Sequence, residues 1–406
     1  MARTKKENTV KAEDSKAGVR DKLVNAIYDE INSSETSFGA FKLDDPEWNP
    51  TDITDWVSTG NPIMDIIISN RKKGGIPVGR ITEINGLSSS GKSLLVAHIL
   101  RETQVQGGIP ILIDTEHSAD RDFLKAMGLD FSNFIYAPIP IIEDVLQAIE
   151  SIIEKVRKSD SDRLIVIAVD SVMGATNKTE DETDYDVQGY ATQKARILSQ
   201  AMRKITKTVA EHKIALIFTN QLRSNLNAGF GGDPWTTSGG MAIAFHASLR
   251  LRLKMKMRIK IGKDSDPIGV RSNCQVIKSR IGPPFRSCDF DMYFDRGFDD
   301  ITTWFEVGKK YNVIIKAKKL EDESKPESPK NKLKEMGGGW FMLAQDQEMK
   351  RFQNASIGET ILNDPIRKQM LYDGLCDAII MKYVDRDSAE AIDKSTLELE
   401  DMLEDL

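Results

Sequence analysis

Cysteine and histidine are scarce in this chain of 406 residues, which holds only Cys274, Cys288 and Cys376 and only His98, His117, His212 and His246. Thiols so few and so widely spaced exclude a disulfide framework and suit reduced cysteines. The scatter of both residue types also argues against a transition-metal centre, leaving only a hard cation held by oxygens. Long apolar runs are missing as well: none approaches the roughly 18 residues that cross a bilayer. Residues 1–16 are too polar for a signal peptide. The expectation is a cytoplasmic protein without a membrane partner. Nor is positive charge in excess, since 56 Lys and Arg face 62 Asp and Glu for a net charge of −6. Any nucleic-acid binding must therefore come from local basic surfaces.

What is present is organised around Gly86-Leu87-Ser88-Ser89-Ser90-Gly91-Lys92-Ser93. The spacing is that of a phosphate-cradling loop and predicts binding of a nucleoside triphosphate with Mg²⁺. Backbone N–H groups curl around the phosphates, Lys92 brings a positive charge to the β and γ oxygens, and Ser93 offers Mg²⁺ a hydroxyl. Residues 80–85 read as a strand and 94–100 as an apolar helix whose N-terminus faces the phosphates. The bland alternative is a Gly/Ser-rich connection, which has no need of the Gly-Lys-Ser ending.

Residues 109–114, 164–170 and 214–219 are continuous apolar runs followed by polar residues. Separated by helix-patterned segments, they predict an α/β fold with a mostly parallel sheet buried on both faces by helices. Ligands on such sheets bind at the carboxyl ends of the strands, where Asp114, Glu116, Asp170, Ser171 and Gln221 fall. Asp170 suits the Mg²⁺ site, partly through water, and Glu116 suits activation of an attacking water. An acid at a strand end also serves as a turn or helix cap.

Elsewhere, residues 2–16 read as disordered, and Val19, Leu23, Ile27 and Ile31 mark an amphipathic helix that packs on its own core or on a neighbouring subunit. Residues 33–50 form a polar tether. Ile63, Met64, Ile66, Ile67 and Ile68 predict a short buried helix, and residues 74–77 turn into the strand before the phosphate loop. Residues 249–261 alternate apolar side chains with Arg250, Arg252, Lys254, Lys256, Arg258 and Lys260. This is a strand with one cationic face, either an edge strand guarded against aggregation or a DNA-facing stripe. The composition changes near residue 300, where a small α/β appendage is expected with a strand at 340–343, and the acidic stretch 385–405 is either merely solvated or competes with DNA for basic surfaces. The expected organisation is an N-terminal oligomerisation helix and linker over 1–50, an ATPase core over 51–299, a C-terminal domain over 300–384 and an acidic tail over 385–406.

With these runs in hand, the chain resembles the RecA-type homologous recombinases, in their phage branch. The matching stretches are Ser-Thr-Gly at 58–60, Gly-Arg-Ile at 79–81, Ser-Ser-Gly-Lys at 89–92, Ile-Asp-Thr-Glu-His at 113–117 and Asp-Ser-Val at 170–172. Ser-Gln-Ala-Met-Arg-Lys at 199–204, Asn-Gln-Leu-Arg at 220–223 and Thr-Thr-Ser-Gly-Gly at 236–240 follow in order. The resemblance implies an ATPase core flanked by an N-terminal helical arm and a small C-terminal domain. It implies ATP-dependent polymerisation on single-stranded DNA into a helical filament, then pairing and strand exchange with duplex DNA, assisted by loading mediators and a single-stranded-DNA-binding protein. By position, Glu116 is similar to the catalytic glutamate and Gln221 to the γ-phosphate sensor. Phe123 sits where the family holds an aromatic against adenine, Asp120 is expected in the same nucleotide site, and Lys278 and Arg280 resemble two basic residues that reach into a neighbour's ATP site. A first DNA loop falls at 178–189, where the acidic run departs from a phosphate-binding surface. A second falls at 222–235, with Arg223, Asn225, Asn227, Phe230 and Trp235 as contacts and Gly239 and Gly240 just beyond. Two rivals share this core: a ring-forming helicase and a non-catalytic mediator switched by ATP.

Overall fold

The computed structural model describes residues 22–33, 52–159, 162–182, 190–225, 234–237, 239–262, 264–320, 333–335 and 339–383. Residues 22–33 are a helix, α1, in a unit of their own spanning residues 1–54. Leu23, Ile27 and Ile31 of the expected apolar stripe are exposed on it. Residues 2–16, Val19 and nearly all of the expected tether lie outside the described residues.

Residues 55–406 form the second unit. Strand β1 (Trp56–Val57) leads to α2 (Pro62–Ser69), whose N-cap Asn61 accepts from the amides of Ile63 and Met64 while Pro62 presets the first turn. Every residue from Ile63 to Ser69 is buried, as the apolar run predicts. β2 (Ile76–Pro77) pairs with β1, and β3 (Ile81–Gly86) delivers the chain to α3 (Lys92–Val105). Then come β4 (Ile109–Asp114), α4 (Arg121–Ala126), β5 (Ile135–Pro138), α5 (Ile142–Ser159) and β6 (Ile165–Asp170). α6 (Lys178–Glu182), α7 (Tyr190–Glu211), β7 (Ile214–Ser224), β8 (Trp235–Thr237) and α8 (Ala242–His246) follow. β9 (Leu249–Ile259), β10 (Gly269–Ser279), β11 (Ser287–Tyr293), β12 (Gly297–Asp299) and α9 (Ile301–Lys310) complete the main sheet and its cover.

The main sheet runs β12-β11-β10-β9-β3-β7-β6-β4-β5, with β8 paired to β7. From β9 to β5 the pairings are parallel, and from β9 to β12 they are antiparallel. Side chains alternate between two hydrophobic layers, as a pleated strand requires. Ile111, Ile113, Ile167, Val169 and Phe218 face α5 and α7, whereas Leu112, Val166, Ala168 and Ile217 face α3. Continuous apolar strands are thus buried on both faces.

Two expectations change. β9 is an interior strand between β3 and β10, so it needs no guard for an open edge. Its apolar face is buried only at Leu249, Leu251 and Leu253, where β3 runs alongside; Met255 and Met257 lie beyond the end of β3 and are exposed. The second DNA loop was expected from Leu222, yet β7 continues to Ser224 because Leu222, Arg223 and Ser224 pair with Thr237, Thr236 and Trp235. Beyond α9, the strands Ile314–Lys316, Trp340–Leu343 and Phe352–Gln353 form a small antiparallel sheet. α10 (Pro365–Ile379) follows, and Trp304, Leu371 and Leu375 join the same hydrophobic cluster as Ile63 and Ile66 of α2.

Candidate functional site

The loop from Gly86 to Ser93 turns sharply between β3 and α3. Gly91, the N-cap of α3, adopts φ 93°, and a Cβ there would stand 2.0 Å from Cε of Met292. Gly86 is equally confined, its missing Cβ lying 2.4 Å from Ser90 Oγ and 2.6 Å from the Leu253 carbonyl. Neither position tolerates a side chain without displacing backbone or packed neighbours. Ser89 enters the left-handed region at φ 59°. The Lys92 ammonium is held inside this loop, donating to the carbonyls of Gly86 (3.2 Å) and Leu87 (2.9 Å). Burial lowers its pKa, opposed by the nearby carboxylates of Asp170 and Glu116. Leu87, Ser88 and Ser89 are exposed, so this part of the loop is open to solvent.

Strand register aligns the rest of the site with this loop. Asp114 pairs with Asp170 across β4 and β6, and Gly86 pairs with Gln221 across β3 and β7. The strand ends therefore lie at one level of the sheet, where the loops of a parallel α/β fold gather their ligands. Asp170 accepts from Thr219 Oγ1 at 2.5 Å and from the Ser93 hydroxyl. Burial raises its pKa, Thr219 and Ser93 lower it, Glu116 raises it and Lys92 lowers it. A hydroxyl and a carboxylate are the hard oxygen donors Mg²⁺ prefers, and Ser93 and Asp170 are the residues that fit it.

Glu116 stands two residues past β4, on a turn organised by Asp114. The Asp114 carboxylate accepts from the amides of Glu116 (3.0 Å) and Ala119 (2.9 Å) and from the Tyr136 hydroxyl (3.0 Å). Glu116 itself accepts from Ser171 Oγ at 2.5 Å through Oε1, and it packs against Gly174. These supports come from separate strands and loops and leave no local signal in the sequence, although Asp114 and Ser171 are both strand-end residues.

Asp120 caps α4, accepting from the Phe123 amide at 2.7 Å. Phe123 lines a cavity of about 340 Å³ with Ser89, Lys92, Ser93, Met292 and Phe294, and both Asp120 and Phe123 line another of about 180 Å³ with Ser93 and Asp170. Phe123 and Asp120 are thus brought to the phosphate loop. Phe294, an exposed aromatic in the first of these cavities, carries no sequence signal of its own.

β7 leaves the site at Gln221 and continues into the hairpin with β8. Arg223 is exposed, Trp235 is half-buried, and the Asn225 amide donates to the Pro234 carbonyl at 2.8 Å. Gly239 and Gly240, at φ 82° and 73°, pack their Cα atoms toward Leu198 and Ala195 of α7. Asn227 and Phe230 lie outside the described residues, as does the part of the first loop from 183 to 189. Lys178, Glu180 and Asp181 of that loop are in α6, and Lys178 pairs with Asp144.

Lys278 and Arg280 are not among the groups that meet at the phosphate loop of their own chain. They gather at the end of α8: Lys278 Nζ donates to the carbonyls of Ala244 and Phe245, both at 2.8 Å, and Arg280 donates to Phe245 at 3.2 Å. Of the basic stripe on β9, Arg250 pairs with the fully buried Glu83, which also accepts from Asn220, and Lys256 pairs with Asp289.

Among the described residues no helix is long and apolar enough to cross a membrane, and no group of three or more His, Cys, Asp and Glu could hold a metal. The RecA N-terminal domain family matches residues 25–299. Protein RecA of Campylobacter fetus subsp. fetus is 37% identical over 290 residues, covering 71% of this chain and 80% of that protein. Protein RecA of Wolbachia sp. subsp. Brugia malayi is 33% identical over 293 residues, covering 72% and 79%. Protein RecA of Leptospira meyeri is 32% identical over 314 residues, covering 77% of each.

Proposed function

The chain belongs to the RecA family, and from that premise we propose that it is a recombinase of DNA recombination and repair, an ATP-dependent one that polymerises on single-stranded DNA and exchanges strands with a homologous duplex. The observation that carries this reading is the course of β7. At Gln221 it stands beside Gly86 of the phosphate loop, and three residues later it ends in the hairpin with Trp235. A change at the γ-phosphate has a rigid path of one strand to the DNA-facing hairpin.

In this reading the loop amides and Lys92 hold the phosphates of ATP, Ser93 and Asp170 hold Mg²⁺, which neutralises phosphate charge when bound, and Phe123 faces the base. Glu116 orients and activates the attacking water, its carboxylate fixed by Ser171 and by the turn that Asp114 organises. Arg223 pairs with DNA phosphate, Trp235 stacks on a base, and Asn225, Asn227 and Phe230 extend that surface. The domain organisation follows: an N-terminal arm, a core over 51–299, a C-terminal domain and an acidic tail, in a cytoplasmic protein that works with loading mediators and a single-stranded-DNA-binding protein.

The test combines turnover with microscopy. ATP hydrolysis stimulated by single-stranded DNA is expected in the wild type, and Lys92→Ala is expected to abolish it, because no other side chain in the loop supplies the charge at the β and γ oxygens. Wild-type protein with ATP and single-stranded DNA should form helical filaments. Closed rings would support a helicase, and wild-type turnover in Lys92→Ala would remove the nucleotide-site assignment.

A further inference from the structure

Lys194 is a cation in a place where a cation is costly. It lies near the start of α7, only 8% exposed. Burial lowers its pKa, Glu180 opposes that, and Arg223 adds to it. Removing an ammonium from water costs several kcal/mol unless its protons are well used. Here they are: Nζ donates to the carbonyls of Met173 at 3.3 Å and of Ala175.

Those two carbonyls bracket Gly174. A Cβ on Gly174 would stand 2.2 Å from Cγ of Glu116, so the backbone at this point is a wall of the Glu116 pocket. The Gly174 amide donates to Ser171 Oγ at 3.2 Å, and that hydroxyl donates to Glu116 Oε1 at 2.5 Å. Lys194, the 173–175 backbone, Ser171 and Glu116 thus form one unbroken series of contacts. Its outer end meets the DNA-facing elements. α7 begins at Tyr190, just after the segment expected to be the first DNA loop, and the missing Cβ of Gly240, beyond the hairpin, lies 3.0 Å from Cβ of Ala195.

We propose that Lys194 is a positioning residue for ATP hydrolysis: by clamping the carbonyls on either side of Gly174 it sets the orientation of the Glu116 carboxylate, and through α7 it ties that orientation to the DNA-binding loops. This rests on the reading of Glu116 as the residue that activates water. Lys194 is engaged by the 173–175 backbone and lines neither cavity beside the phosphate loop, so its loss is expected to act on turnover and to leave nucleotide binding alone.

The experiment uses the full chain with single-stranded DNA and compares wild type, Lys194→Met, Lys194→Gln and Glu116→Gln. Lys194→Met should lower kcat about ten- to a hundredfold, the scale of misplacing a reacting group by about 1 Å, with KM for ATP within about twofold. Lys194→Gln keeps a donor for a carbonyl in a shorter chain, so its kcat should fall between those of wild type and Lys194→Met, and it serves if Lys194→Met does not fold. In a Glu116→Gln background, adding Lys194→Met should leave the residual single-turnover hydrolysis unchanged, since the carboxylate that the clamp positions is already gone. A further loss there as large as in the wild-type background would overturn the proposal, because the clamp would then act independently of Glu116. So would wild-type kcat in folded Lys194→Met or Lys194→Gln while Glu116→Gln is inactive. Wild-type turnover in Glu116→Gln itself would instead overturn the reading of Glu116.

Discussion

His98 sits on α3, less than two turns from the phosphate loop, and its ring nitrogen Nε2 accepts from the Phe298 amide at 3.1 Å. The ring also stacks on Phe298 at 4.3 Å between centroids. An imidazole that accepts at Nε2 carries its proton on Nδ1, so a second proton must enter where the amide already donates. Burial, with Arg101 nearby, accordingly lowers its pKa from 6.5 to about 4. The sign follows from linkage. Between those two values the unfolded chain binds a proton that the folded one refuses, so the contribution of His98 to stability is full above pH 6.5 and lost as pH falls toward 4, by about 3 kcal/mol in all. Asp65 runs the other way: burial raises its carboxyl from 3.8 to about 7 despite hydrogen bonds from Ser58 and Thr59, so it adds stability as pH falls over that range. The difference between wild type and His98→Gln isolates the histidine. Urea unfolding at pH 7.5, 6 and 5 should show wild type losing stability relative to the variant as pH falls; a constant difference would mean that His98 charges freely when folded. Neither His98 nor Lys194 stood out in the sequence, because their partners are 200 residues and 19 to 21 residues away and no local pattern joins them.

At the scale of elements, continuous apolar runs made β4 and β6 legible, since a strand buried on both faces has little choice of composition. The phosphate loop was legible for a similar reason: Gly86 sits where a Cβ meets the Leu253 carbonyl, and Gly91 sits at a left-handed φ of 93°. The β7–β8 hairpin was not, because Arg223 and Ser224 belong to a strand that projects past the sheet and carries polar side chains on both faces. β9 misled in the opposite sense, its alternation continuing after its neighbour β3 has ended. The hairpin makes a separable prediction. Trp235→Ala should weaken single-stranded DNA binding by about 1–3 kcal/mol, roughly five- to 150-fold, with the salt slope unchanged. Arg223→Ala should lower that slope by about 0.7, the share of one phosphate contact on a single strand. Fluorescence anisotropy with a labelled oligonucleotide across roughly 50–200 mM salt, a range over which such slopes are readily resolved, checks both. A changed slope in Trp235→Ala and an unchanged one in Arg223→Ala would reverse the two assignments.

At the scale of the whole molecule, Lys278 and Arg280 are the residues whose placement bears on assembly. Within one chain they do not complete the phosphate site but rest on the carbonyls that end α8. Lys278 is half-buried there, its pKa lowered by burial, then by Arg280 and Arg250, with Glu83 opposing. The only acid in that balance, Glu83, is already paired with Arg250. A cation held by neutral carbonyls beside two other cations would bind well to an anion brought by another subunit. The hypothesis is that the two residues complete the γ-phosphate site of the adjacent subunit. Charge supplied in trans in related phosphoryl transfer raises turnover by roughly 10³- to 10⁵-fold. Lys92→Ala, with intact donors, and Lys278→Ala/Arg280→Ala, with an intact cradle, should each be inactive alone. In a randomly mixed filament about a quarter of junctions pair an intact cradle with intact donors, because each subunit's face is drawn independently. DNA-stimulated hydrolysis should then return in part and peak near equal mixing. If the two variants co-assemble on DNA and the mixture stays inactive, the donors do not act across the junction, and their place at the end of α8 is an intrasubunit brace for that helix.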